Sequence, residues 1–415
     1  MQTRLIETIA RTDGRRILAG LIRLTGDFDA AEDALQEAYA RALTDWERTG
    51  VPEKPGAWLN TVSRRIAIDR LRKNRSTDLP EDLEAPPIDP DAGVEPENPS
   101  GIEDDRLRLL FTCCHPALPA DARCTLALRT LGGLTTREIA RGFVEPEATT
   151  AQRLVRAKKK IRDARIPYEV PPRHKLPERV ETVLSVLYLI FNEGYASTDA
   201  PSLFRTDLVR EAIRLARLAV ELLPSEVEAR GLLALMLLTD ARRAARLTPE
   251  GDLVPLDEQD RSRWDRAQID EGVALLDQAL TRRTPGPYQT QAAIAALHST
   301  AATAAETDWP QIAALYRALL AFTRTPVIEL NAIVAFGLAT NLEHALDGIA
   351  RLELSGELSQ YYLLPASKAD ILRRLGRHAD AITAYREALA LVTNPAERRY
   401  LERRLTSCLE REVST

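Results

Sequence analysis

Between Ser76 and Asp105 the chain reads STDLPEDLEAPPIDPDAGVEPENPSGIEDD, with eleven acidic side chains, six prolines, no Lys or Arg, and no apolar periodicity. A segment of this kind buries too little apolar surface to offset the entropy of ordering it. Residues 76–102 read as a linker, with folded modules predicted at 1–75 and from 103 onward. The length of 415 residues also exceeds what one core usually serves.

The charge reverses on both sides of that linker. TVSRRIAIDRLRKNR (Thr61 to Arg75) carries six basic residues against Asp69, and Thr135 to Arg162 carries eight against Glu138, Glu145 and Glu147, although the whole chain has a formal net charge of -5. Two basic helical segments on an acidic tether suggest contact with a polyanion at two places. Taken singly, each segment also fits a solvated helix face.

The second basic segment, TTREIARGFVEPEATTAQRLVRAKKKIR, has the form of a helix pair. Thr135 followed by Glu138 is a capping box, which starts a helix there. Pro146 is expected at the first turn of the next helix. In that helix Thr150, Leu154, Ala157 and Ile161 share one side, and Gln152, Arg153, Arg156, Lys159 and Lys160 the other. Two short helices with a tight connection, the second apolar inside and basic outside, predict a helix-turn-helix whose second helix enters the major groove. Arg and Gln there can make paired hydrogen bonds with base edges, and the trailing cations can meet phosphates.

Beyond Pro171 and Pro172 the sequence turns to Leu/Ala-rich helical patterns. LRRLGRHADAITAYREALALVTNP (Leu372 to Pro395) matches the tetratricopeptide pattern, and Glu211 to Leu238 is a looser version. Further helices are expected around Gln268 to Leu280 and Gln311 to Phe322. The predicted fold class is all-α, with domains at 1–75, 76–102 (the linker), 103–165 and 166–415.

Other functions find little support. The amino terminus carries charge throughout and does not read as a secretory signal. The longest apolar runs, Thr182 to Phe191 and Gly231 to Leu238, are too short to cross a bilayer and read as buried helices, so no membrane partner is expected. Cys113, Cys114, Cys124 and Cys408 lack CxxC spacing, which fits a reducing cytoplasm. LFTCCHP (Leu110 to Pro116) imitates a metal motif, yet no second ligand pair stands at zinc-like spacing. Neither a cofactor, a metal site nor a catalytic constellation is predicted. Asn192 to Tyr195 reads as a helix end closed by Gly194 as C-cap.

GDFDAAEDALQEAYARAL (Gly26 to Leu43), then PGAWLNTVSRRIAIDRLRKNR (Pro55 to Arg75), then the linker and helix-turn-helix, resemble regions two and four of a bacterial sigma-70 family factor of the extracytoplasmic-function type. The remainder is similar to the large carboxy-terminal extension of one subgroup. The resemblance implies a sigma factor that binds core RNA polymerase through its beta-prime clamp and beta flap, recognises and melts promoter DNA, and is not an enzyme. By the same resemblance Asp33, Gln36 and Glu37 would grip the clamp. Trp58, Asn60, Arg64, Arg65, Asp69, Arg70 and Lys73, with the loop from Val51 to Ala57, would handle the minus-ten element. Thr149, Gln152, Arg153, Val155, Arg156, Lys159 and Lys160 would handle the minus-thirty-five element. Ala151 stands where Arg or Lys is common, and Val144 where the turn usually has Gly. The extension would regulate the sigma module in cis or bind a protein or peptide partner. The alternative is a helix-turn-helix regulator with a helical scaffold and no sigma-type polymerase contact.

Overall fold

The computed structural model describes residues 13–74, 105–143, 145–172, 174–195 and 206–413. The linker at 76–102 and the turn residue Val144 lie outside them. Among the described residues there are eighteen α-helices and no strand, only one isolated bridge between Leu247 and Leu253. The all-α class expected from the helical patterning is what the chain adopts. Its contacts divide it into two compact units, Met1–Leu189 and Ile190–Thr415.

The first unit opens with α1 (Gly14–Thr25), α2 (Phe28–Thr49) and α3 (Pro55–Asn74), which pack on one another. Gly26, at φ 68°, ends α1 in the left-handed conformation that glycine adopts without strain. Asp27 starts α2 by accepting the amides of Asp29 (2.8 Å) and Ala30 (2.9 Å). Ala31, Ala34, Ala38 and Ala42 repeat at helical spacing and are fully buried, so neighbouring backbones can come close. Trp46 at the end of this stripe is 1% exposed and meets Trp58 of α3 edge to face, ring centroids 5.4 Å apart. Truncating a buried Trp costs about 3–5 kcal/mol, so this pair anchors the bundle.

The unit continues with α4 (Asp105–Cys113), α5 (Ala120–Ala127) running into a π-helical turn (Leu128–Gly132), α6 (Thr136–Gly142) and α7 (Glu147–Asp163). Helix α1 packs on α4 and on the π turn. Arg23 pairs with Asp105 at 3.1 Å, and the Tyr168 hydroxyl lies 3.0 Å from the carbonyl oxygens of both Ala19 and Asp105. The modules before and after the linker thus share one unit.

Helix α8 (Leu176–Tyr195) carries the first long apolar run, and the division between units falls inside it. Gly194 is not the C-cap that its place suggested. The helix continues through it, and a Cβ there would lie 2.8 Å from the Val209 amide nitrogen. Close packing, rather than a left-handed turn, requires the glycine.

The second unit comprises α9 (Thr206–Leu222), α10 (Val227–Asp240), α11 (Arg266–Leu280), α12 (Pro287–Thr300), α13 (Trp309–Phe322), α14 (Pro326–Ala339), α15 (Leu342–Ser355), α16 (Leu363–Arg374), α17 (His378–Leu391) and α18 (Pro395–Val413). Successive helices pack on each other, and α10, buried along nearly its whole length, packs on both α11 and α12. Helices α13, α15 and α17 begin at Trp309, Leu342 and His378, 33 and 36 residues apart, close to a tetratricopeptide period of about 34. Within the unit expected at Leu372 to Pro395, Gly376 (φ 76°) makes the turn, while Ala381, Tyr385 and Ala388 are buried.

Candidate nucleic-acid interface

The helix-turn-helix forms as its spacing predicts. Glu138 N–H donates to Thr135 Oγ1 (3.1 Å), and Thr135 N–H donates to Glu138 Oε2 (2.7 Å), closing both arms of the capping box. The buried side of α7 is Thr150, Leu154, Ala157 and Ile161. Pro146 is the N-cap rather than the first helical residue, a shift of one position within ordinary end variation.

Thr149, Gln152, Val155, Arg156, Lys159 and Lys160 are all exposed on α7. Val155 is 65% exposed, an isolated apolar side chain amid polar and basic ones. A cleft of about 450 Å³, shared with the start of α5, is lined by Thr149, Gln152, Arg153, Arg156 and Lys160 together with Asp121. Lys159 also bonds Asp163 one turn on. The arrangement offers hydrogen-bond donors and one methyl-bearing contact to a groove.

Arg153 leaves that face. Its guanidinium turns inward onto Glu145 in a two-pronged contact (2.5 and 2.7 Å) and onto Asp121 (2.8 Å), and only 19% of its side chain is exposed. Thr150 donates to the same Glu145 oxygen at 2.5 Å. Burial pushes the Glu145 carboxyl up, but the bonds from Arg153 and Thr150 outweigh it and hold the group below its ordinary value. Arg153 fixes the turn between α6 and α7 rather than extending the outward basic row. Helical spacing alone could not separate it from Arg156, because the acids that capture it are eight and thirty-two positions away in sequence.

In the first module Asp33 and Gln36 are exposed along α2, whereas Glu37 is partly covered. Glu37 accepts from Arg41 (2.6 Å) and from Arg70 of α3 (2.8 Å), and Arg70 also lies 3.7 Å from Asp33. The Arg41 bond is the main cause that draws the Glu37 carboxyl below its usual value. Arg70 is thereby joined to the acids of α2 and separated from Arg65, Asp69 and Lys73, which are exposed on α3. Asn60 and Arg64 are half-buried, as is Trp58 against Trp46.

One set of contacts between helices escaped the sequence. Lys158 is 11% exposed and donates to Asp29 and Glu32 at the start of α2, each at 2.9 Å. Arg162 reaches Asp27 (3.3 Å), and Arg129 lies 3.6 Å from Glu32. Burial lowers the Lys158 pKa, but Glu32 and Asp29 raise it further, so its charge is held. The carboxy-terminal half of α7 is therefore seated at the start of α2 through three charged pairs, and Arg129 of the π turn adds a fourth to Glu32. Within AKKK nothing distinguishes Lys158 from its neighbours except its place next to buried Ala157.

Cys113, Cys114 and Cys124 are buried thiols, and burial pushes Cys113 and Cys124 up to about 12. Among the described residues no cluster of His, Cys, Asp and Glu could hold a metal ion, and no helix is long and apolar enough to cross a membrane.

Comparison with known proteins matches sigma-70 region 2 to residues 9–77, sigma-70 region 4 to residues 108–161, and a family of unknown function, DUF6596, to residues 179–280. An uncharacterized protein of Rhizobium meliloti is 43% identical over 392 residues, spanning 94% of this chain and 92% of its own. The probable ECF RNA polymerase sigma factor SigI of Mycobacterium tuberculosis is 32% identical over 162 residues, 38% of this chain and 54% of that protein. The ECF RNA polymerase sigma factor SigL of the same organism is 31% identical over 142 residues, 34% of this chain and 77% of its own length. No solved structure matches the chain.

Proposed function

The chain belongs to the sigma-70 family, as an extracytoplasmic-function factor with a carboxy-terminal extension, and we propose which of its residues carry that family's role in transcription initiation. Its partners as a sigma factor are core RNA polymerase and promoter DNA. Asp33 and Gln36, exposed on α2, meet the beta-prime clamp, and Glu37 serves by tying Arg70 and Arg41 into a fixed rim. Trp58, Asn60, Arg64, Arg65, Asp69 and Lys73 receive the minus-ten element, where an unstacked base needs a shaped pocket and the single strand needs cations. Region four meets the beta flap. It reads the minus-thirty-five element with Gln152 and Arg156 on base edges, Val155 against a thymine methyl, and Thr149, Lys159 and Lys160 on phosphates.

The acidic linker repels the DNA that it passes. The chain does no covalent chemistry itself, and acts where polymerase and DNA are, in the cytoplasm. The extension regulates the sigma module in cis or offers its helical surface to a protein or peptide partner.

The observation that carries this reading is the pairing of two modules in one chain: a three-helix bundle with exposed Asp33 and Gln36, and a helix whose outward row is Gln152, Val155 and Arg156. A helix-turn-helix regulator would have no use for the first. The test is binding of the full chain to core polymerase. Asp33→Lys combined with Gln36→Ala should weaken it at least about tenfold, or about 1.4 kcal/mol, without changing the helical signal. Unchanged affinity would remove the clamp assignment.

A further inference from the structure

Helix α7 carries six basic side chains, Arg153, Arg156, Lys158, Lys159, Lys160 and Arg162, and four of them end on an acid. Arg153 is drawn onto Glu145 in the preceding turn, and Lys159 onto Asp163 of its own helix. Lys158 and Arg162 differ from these, because their acids belong to another module. Val155, Lys158 and Arg162 follow one another at spacings of three and four, which sets them along one side of α7. Val155 is exposed in the outward row, so the two cations stand on its flank, where contacts to a duplex are made with phosphates rather than with base edges.

The acids that hold them open α2. Asp27 caps that helix with Oδ1, which accepts the amides of Asp29 and Ala30, while its Oδ2 takes Arg162 at 3.3 Å. Lys158 lies between Asp29 and Glu32, 2.9 Å from each. Acids at a helix start are favoured by its dipole, so α2 does not need the cations of α7 in order to form. From Asp27 to Glu32 the helix axis advances about 7.5 Å. Two phosphates of one duplex strand advance about 7 Å. A carboxylate and a phosphate also present the same kind of charged oxygen to an ammonium or guanidinium group.

We propose that Asp27, Asp29 and Glu32 stand in for DNA phosphates, and that Lys158 and Arg162 are two further phosphate contacts of α7, withheld from DNA while the chain is free. The inference rests on α7 being the DNA-reading helix. Asp33 and Gln36, which meet the polymerase clamp, follow on the same α2, so polymerase binds the element that holds the two cations.

The probe is a short fluorescent duplex of random sequence, titrated with the full-length chain over a range of salt and without polymerase. Asp29→Asn combined with Glu32→Gln frees Lys158, and Asp27→Asn frees Arg162 while keeping a capping side chain. Each neutralised phosphate adds about 0.9 to the slope of log affinity against log salt, so each of these two variants should steepen the slope by about that amount. With Lys158→Gln and Arg162→Gln also present, neither should steepen it. Slopes equal to wild type in the acid variants overturn the proposal. So does a steepening that survives loss of the two cations, since removal of negative charge alone would act without them. Arg156→Gln should weaken binding in every background. If it has no effect, the DNA-reading role of α7 falls and the withheld contacts with it, whereas equal slopes with Arg156 still required overturn the withheld contacts alone.

Discussion

Arg153 shows how one side chain changes role once its surroundings are known. Its guanidinium closes on Glu145, in the turn of the helix-turn-helix, and on Asp121 of α5. Arg153→Met should destabilise the first unit by about 2 kcal/mol, the scale of a lost charge-assisted bond that leaves its acceptor half-covered. The effect has a pH signature. The Glu145 carboxyl is held below its ordinary value of 4.5, so its contribution is complete above that value and is lost as pH falls through the lower folded one. Thermal melts of wild type and Arg153→Met should therefore differ most near neutrality and converge in acid; a constant gap would refute the pairing. Most residues of the outward row were legible because burial of Thr150, Leu154, Ala157 and Ile161 fixes the helix's rotation. Arg153 was not, since its position is decided by Asp121 and Glu145, outside the helix.

At the scale of elements, the seating of α7 on α2 is the contact with most consequence. Lys158 between Asp29 and Glu32 is nearly covered, and Arg162 and Arg129 add pairs around it. Lys158→Glu should loosen this seat at a cost of about 2 kcal/mol, discounted for the exposure of Asp29. Hydrogen exchange should then quicken in the last two turns of α7 and the first turn of α2, with restoration in Lys158→Glu combined with Glu32→Lys. Equal exchange in wild type and single variant would mean that the pair holds nothing. The helices themselves were readable from capping boxes, breakers and apolar spacing. Their seating was not: the partners of Lys158 stand more than a hundred residues earlier, and no local pattern encodes which lysine of a run finds acids. Gly194 failed for a related reason, since a glycine needed for close packing on Val209 has the same sequence appearance as a C-cap.

For the whole molecule, the sequence separated a first part with two basic helical segments joined by an acidic linker from a helical remainder, and the extension is helical as expected. Irregular spacing hid its periodicity until helix starts at Trp309, Leu342 and His378 could be placed. The long connection between α10 and α11, from Ala241 to Asp265, was unreadable beforehand, because its acids pair with arginines about 120 to 150 positions further along the chain. What unites these parts is the conversion of core polymerase into an enzyme that opens selected promoters. The direct measurement is mapping of transcript 5′ ends from a randomised promoter library transcribed by core polymerase with and without the full-length chain. Addition of the chain should concentrate initiation at defined positions downstream of two shared sequence elements. Start sites as scattered with the chain as without it would contradict the account.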